Sequence, residues 1–272
     1  MTDKRMKISY LLGLFLATIV IIFSTWGGLT ATPKFWHDEA VPFEIARNIA
    51  EFGKTDLAIA PNTFWQKSYM THATGFPITF PLAGVFKIFG VGVLQSRIFM
   101  IGWMLAALTT LFFVMRAFFD EKMAFFSVLL VATFSSFYAN GRTGTGEVPG
   151  FLFLLLALLF LYKKERHGWG GFFAALAAVT KPSMYLFVLP VMMLEILIKI
   201  CRRPAPNQVF SNANSTNSES QLHYDTQNLV WGGRFAKEIK KLSIFLIGTF
   251  PILLFWLWLI NPAPFSLVSW HE

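Results

Sequence analysis

WGGFFAALAAVTKPSMYLFVLPVMMLEILI, residues 169–198, decides how this chain is organised. As a single helix it would be about 45 Å long at 1.5 Å per residue, against a bilayer core of about 30 Å. Lys181-Pro182 interrupts the run in its middle. Proline removes one backbone hydrogen bond and pushes the residue before it out of helical space. The break therefore reads as a turn between two helices, each shorter than the about 20 residues of an ordinary span. On this reading Lys181 lies in a recess where the hydrophobic layer is thin.

Outward from this turn, uncharged runs at 8–29, 98–115, 123–141, 148–162 and 242–260 read as five further helices. The chain of 272 residues is 55% apolar and only 14% charged. Soluble domains carry roughly 25% charge, so a water-facing globule is excluded. Cys201 is the single cysteine, which excludes an internal disulfide. The run at 8–29 is too long for the core of a signal peptide, and no small-residue cleavage site follows it, so it reads as a signal anchor.

The formal charge of +8 could suit nucleic acid, but in so apolar a chain it reads as positive charge gathered on one membrane face. Seven crossings, with the N-terminus cytoplasmic and the C-terminus outside, place most of the 23 Lys and Arg inside. Among them are Lys4, Arg5, Arg116, Lys163, Lys164, Arg166, Lys199, Arg202, Arg203, Lys240 and Lys241. A single crossing over 169–198 would move Arg202, Arg203 and the later basic residues outside, against the bias. The fold class expected is an all-α, multi-pass protein of the cell membrane, one membrane domain over 1–272.

Residues 30–96 form the largest extracytoplasmic loop on this topology. From Pro42 onward, Ile45, Ile49 and Phe52 share one face, Glu44, Asn48 and Glu51 the other, and Gly53 ends the pattern. This spacing predicts an amphipathic helix lying on the outer interface. Residues 76–86 are apolar but short and carry Pro77 and Pro81, so they read as a segment dipping into that interface. Residues 204–228, rich in Asn, Ser, Thr and Gln, read as a flexible cytoplasmic loop.

Three places carry candidate chemistry. Asp38 and Glu39 follow the first helix at the membrane-water boundary. They either cap the Pro42 helix or hold a carboxylate close to the bilayer, suited to taking a proton from a hydroxyl. Glu147 and Arg142 stand in a glycine-rich outer turn, Gly141 to Gly150, that is either a simple turn or the edge of a cavity. Without a strand before it, that turn is no nucleotide cradle. Lys181 either snorkels from a helix end or, with Arg142, meets a phosphate. His37 beside Asp38 is a weak candidate for a divalent metal, since one His next to two acids makes an incomplete ligand set.

Together these pieces resemble the GT-C membrane glycosyltransferases, in particular the dolichyl-phosphate-mannose-protein mannosyltransferase and aminoarabinose transferase superfamily. The resemblance rests on Trp36-His37-Asp38-Glu39-Ala40 with Ala46-Arg47-Asn48-Ile49 and Gly53-Lys54. It continues in Gly141-Arg142, in Gly146-Glu147-Val148-Pro149, and in Ala174 to Pro182 ahead of another helix. It implies an enzyme that moves a sugar from a polyprenyl-phosphate donor, with inversion, to an extracytoplasmic acceptor whose nature stays open. It further implies that Asp38 is the base or acceptor-orienting group with Glu39 beside it, that Glu147 is the second acidic position, and that Arg142 and Lys181 lie near the donor phosphate.

Members of that family continue through several more helices. This chain reads as either a truncated frame or a minimal seven-helix module needing a partner. The competing classes are a transporter or flippase-like protein and an inactive scaffold subunit. A conduction path needs polar groups through the midplane and inner half, whereas the favoured residues all lie toward one face.

Overall fold

The structure, a computed structural model, describes residues 18–19, 28–31, 34–61, 63–65, 75–201 and 217–260, with the backbone alone at 217–234 and 260. Ten α-helices of defined bounds, one π-helical turn and one small hairpin are the regular elements among the described residues. The first helix, α1 (His37–Phe52), begins five residues before Pro42, so Asp38 and Glu39 form its first turn and do not precede it. Acidic side chains are favourable there because the free N–H groups leave a partial positive charge at the helix start. The expected stop is present: Gly53 has φ 66°, its N–H donates to the Ile49 carbonyl, and that of Lys54 to the Asn48 carbonyl. A Cβ at Gly53 would meet nothing within 4 Å, so glycine serves the left-handed backbone there and not close packing.

After the short antiparallel pair β1 (Ala58–Ala60) and β2 (Thr63–Phe64) comes α2 (Phe76–Phe89), helical over 14 residues despite Pro81. Pro77 fits its first turn, where no N–H partner is needed. Leu82, Ala83 and Phe86 of α2 pack on Ala46 of α1, with Phe43 edge-on to Phe86.

The main bundle is α3 (Val93–Phe118), α4 (Glu121–Thr133), α5 (Ser135–Gly141), α6 (Glu147–Leu158), α7 (His167–Thr180), α8 (Pro182–Tyr185), α9 (Val188–Cys201) and α10 (Asn217–Ile260). Its core joins Met104, Leu108 and Leu111 of α3 to Val128 of α4, Leu152 and Leu155 of α6, Ala174 and Ala178 of α7 and Met192 of α9. The run expected to be one helix over 123–141 is bent by 63° at Phe134, between α4 and α5. Thr133 Oγ1 bonds back to the Leu129 and Leu130 carbonyls, a competition with the backbone ladder that bends helices. A π-helical turn, Leu159–Lys163, finishes α6.

At the decisive break, α7 ends at Thr180 and Pro182 opens α8. The segment beyond it is longer than expected, because α8 and α9 together give a predominantly apolar segment of 20 residues, Pro182–Cys201. Glycines let α10 lie against α7: a Cβ at Gly171 would be 2.2 Å from the Phe245 carbonyl oxygen, and one at Gly248 2.0 Å from that of Gly168. Such small-residue seams are how helices approach closely in lipid.

By length and composition, Val93–Phe118, Pro182–Cys201 and Phe235–Leu259 suffice to cross a membrane, and the bent α4–α5 pair is a fourth candidate. The expected count of seven also needs α6 and α7, shorter than about 20 residues, and the run at 8–29, most of which lies outside the described residues. Of the expected cytoplasmic loop, 204–216 lies outside the described residues, while 217–228 belongs to α10 and is helical. Extending an existing helix adds one hydrogen bond per residue fixed, without the cost of a new nucleus.

Candidate active site

One end of the bundle gathers the start of α1, the start of α3, the turn between α5 and α6, and the end of α7. Its anchor is Arg97, four residues into α3 and 0% exposed. The Arg97 Nε donates to Glu39 Oε1 at 3.2 Å and Nη2 to Glu39 Oε2 at 3.1 Å, a two-pronged bond onto a carboxylate that is itself 0% exposed. Nη1 donates to the Leu29 carbonyl. Arg97 thus ties together α3, the first turn of α1 and the segment at 28–31. Sequence reading missed it; the available signal was a lone Arg bordering the apolar run at 98–115.

Arg142 follows α5 and is also buried. Burial pushes its guanidinium below the ordinary arginine value, the nearby Arg97 charge acts in the same direction, and Tyr138 opposes both. Desolvation disfavours the charged form, as does a like charge. Glu39 compensates the charge of Arg97, so Arg142 is the cation that adds positive charge behind the turn. Ser96 Oγ is buried without a partner in the structure, and a Cβ at Gly144 would lie 3.8 Å from it.

The turn itself is held by hydroxyls. Thr143 Oγ1 donates to the Asn140 carbonyl at 2.6 Å and lies 3.0 Å from Thr145 Oγ1, which in turn donates to the Glu147 carboxylate. Gly146, at φ 90°, allows the reversal that brings Glu147 to the first turn of α6. The other Glu147 oxygen, Oε1, receives Lys181 Nζ at 3.3 Å. The Tyr185 hydroxyl donates to the Glu147 backbone carbonyl at 2.7 Å, fixing α8 against α6. Beside Lys181, Gly75 N–H donates to the Thr180 carbonyl at 3.0 Å, and a Cβ on Gly75 would sit 1.8 Å from the Val179 oxygen. The start of α2 is therefore pressed onto the end of α7.

Glu147 and Lys181 are thus brought into direct contact, Glu39 is held by Arg97, and Arg142 lies near enough to Arg97 to feel its charge. Asp38 is different: its side chain is 54% exposed and its recorded ionic neighbour is His37, with Nδ1 3.7 Å from Asp38 Oδ1. Successive residues of a helix point about 100° apart, so Glu39 turns inward to Arg97 while Asp38 turns to solvent. His37 and Asp38 stand as a pair; among the described residues no three of His, Cys, Asp and Glu gather as metal ligands. Chemically, the end of the bundle offers partly shielded cations for an anion, a doubly held carboxylate and a solvent-facing carboxylate able to accept a proton.

Residues 76–208 match the profile of the dolichyl-phosphate-mannose-protein mannosyltransferase family. The match spans just under half of the chain, takes in Arg97, Arg142, Glu147 and Lys181, and lies after Asp38 and Glu39. It is consistent with a member of the GT-C superfamily and, with the apolar helices, indicates a membrane glycosyltransferase. No curated protein and no solved structure matches the chain.

Proposed function

Starting from that family match, we propose that the chain transfers a sugar from a polyprenyl-phosphate donor, with inversion, to an acceptor on the extracytoplasmic side of the cell membrane. The observation that carries this reading is Lys181 paired with Glu147 at the same end of the bundle as Arg142 and Arg97. In the reaction the acceptor oxygen attacks the anomeric carbon, the bond from that carbon to the phosphate oxygen breaks, and the polyprenyl phosphate leaves with the electron pair. Negative charge grows on the phosphate as the bond breaks, so cations already in place bind the transition state more tightly than the ground state.

Lys181 has three donors and a single recorded carboxylate contact, leaving donors to direct at a phosphate. Glu147 keeps its ammonium aimed while the phosphate is absent. Asp38, solvent-facing and in the first turn of α1, takes the proton from the attacking hydroxyl, as a carboxylate base does in inverting sugar chemistry. Glu39, locked by Arg97, positions that turn. The charge bias of the sequence supports seven crossings with this end outside and α1 on the interface.

The test is transfer from a polyprenyl-phosphate sugar by the purified full chain, alongside binding of the same donor. Lys181→Ala and Arg142→Ala should weaken donor binding whatever acceptor is offered. Normal binding and turnover in both variants would refute the donor site.

A further inference from the structure

Lys181 stands on a part of the backbone with little of its own to hold it. At φ −142° and ψ 84° it has left the helix, and its N–H reaches the Ala177 carbonyl only at 3.5 Å. Beyond it α8 is one turn of four residues, joined to α9 through a turn at 186–187. Pro190 has no N–H to give to the Leu186 carbonyl, so the backbone ladder between α8 and α9 is incomplete. A single helical turn fixes several backbone angles for little hydrogen bonding, and it needs packing to persist. Of residues 181–187, Tyr185 is the one that is buried; Lys181 and Pro182 are half-buried and the other four are exposed. The place of this turn, and of the ammonium at its start, therefore depends on how Tyr185 is held.

Two features of α6 seat it. Its ring lies against Gly150, where an added Cβ would stand 2.3 Å from Tyr185 Cε2, so a glycine is what leaves room for the ring. Its hydroxyl donates to the Glu147 backbone carbonyl at 2.7 Å. Lys181 and Tyr185 are four residues apart, the spacing that brings two side chains to one side of a helical turn. Both end on the same residue of α6: Lys181 Nζ lies 3.3 Å from the Glu147 carboxylate, and Tyr185 bonds to the carbonyl of that residue. A phosphate affects these two ties differently. It competes with the carboxylate for the ammonium, since both are anions that accept from it. It does not compete for the bond between the Tyr185 hydroxyl and the carbonyl, which is neutral and made by a buried side chain. We propose that Tyr185 is a positioning residue for donor binding, a role that rests on the polyprenyl-phosphate reading of this end of the bundle. Its bond to Glu147 holds α8 on α6 and keeps the Lys181 ammonium at the phosphate once the phosphate has drawn it from the carboxylate. Tyr185 touches no substrate and acts through Lys181.

The experiment titrates farnesyl phosphate, a short polyprenyl phosphate, into the full chain in detergent, for the unaltered protein, Tyr185→Phe, Lys181→Ala and the two substitutions together. Tyr185→Phe keeps the ring against Gly150 and removes only the hydroxyl. It should raise the Kd about three- to tenfold, the worth of one neutral hydrogen bond. In the Lys181→Ala background it should change the Kd by less than about twofold, because the group it positions is gone. With a polyprenyl-phosphate sugar, Tyr185→Phe should raise the KM for the donor by the same factor and leave kcat as it is; this split decides the matter if Lys181→Ala binds too weakly to titrate. Equal losses in the two backgrounds would show that Tyr185 only supports the fold and would overturn the positioning role, as would a fall in kcat at unchanged KM. An unaltered chain that binds farnesyl phosphate no better than Tyr185→Phe overturns this role alone. An unaltered chain that does not bind it overturns the donor site itself, and the role of Tyr185 with it.

Discussion

Replacing Glu39 or Arg97 tests the anchor of the proposed site most directly. Both side chains are fully buried, and three charge-assisted or carbonyl bonds converge on the guanidinium. Removing one partner of such a pair leaves an uncompensated buried charge, at a cost of about 3–5 kcal/mol. A loss of about 4 kcal/mol lowers the folded-to-unfolded ratio roughly a thousandfold. Glu39→Gln should fall in that range. Arg97→Met should cost a further ~1–3 kcal/mol, because it also strands the buried Leu29 carbonyl. The double variant, Glu39→Met with Arg97→Met, removes both charges and should recover most of the loss, since apolar replacement of a whole buried pair is often neutral or stabilising. Denaturant titration of the purified chain in detergent, followed by circular dichroism, gives the three values. Single losses below ~1 kcal/mol, the level of a surface pair, or three losses that simply add, would refute the reasoning.

Asp38→Asn keeps the size of the side chain and removes the proton acceptor, so transfer should slow by about 10²- to 10⁴-fold with donor binding retained; a full rate would remove Asp38 from the mechanism. Gly248→Ala drives a Cβ toward the Gly168 carbonyl and should cost about 1–3 kcal/mol in the same titration, whereas Gly84→Ala, with nothing within 4 Å, should cost nothing. In a Cys201→Ser background, a cysteine at Thr55 should react with an impermeant reagent in sealed cells and one at Lys164 should not; the reverse pattern would invert the orientation.

Helix positions were largely legible because apolar runs in a membrane chain have one strong meaning, and Pro182 announces its own break. Less was legible where a structure depends on competition between weak local preferences. The 63° bend falls where Phe134 takes an extended backbone, with Thr133 bonding back to its own helix beside it, a choice that the sequence of 123–141 permits without requiring. The start of α1 was read from Pro42 because proline favours first turns, whereas the acidic residues before it extend the helix to His37. In the site, single residues were found by their type and neighbours, but their pairing was not. Glu147 and Lys181 are 34 positions apart, and Glu39 and Arg97 58 apart. The packing of α6 on α7 brings the first pair within reach, and that of α1 on α2 and α2 on α3 the second. The same distance in sequence explains why Arg97 went unnoticed and why Glu39 was given the smaller role.

The bond between Glu39 and Arg97 also sets an order of events during synthesis. A chain made from its N-terminus presents Glu39 long before Arg97 exists, and closing a loop of 58 residues costs roughly 3.6 kcal/mol in chain entropy before any constant term. Until α3 has been made, the Glu39 carboxylate lacks its Arg97 partner and α1 has its packing on α2 but not this bond to hold its first turn. The end of the molecule that carries Asp38 therefore cannot take its final shape while the ribosome is still working through residues 30–96. A nascent chain halted before Arg97 carries the whole Asp38-Glu39 segment and yet has no site.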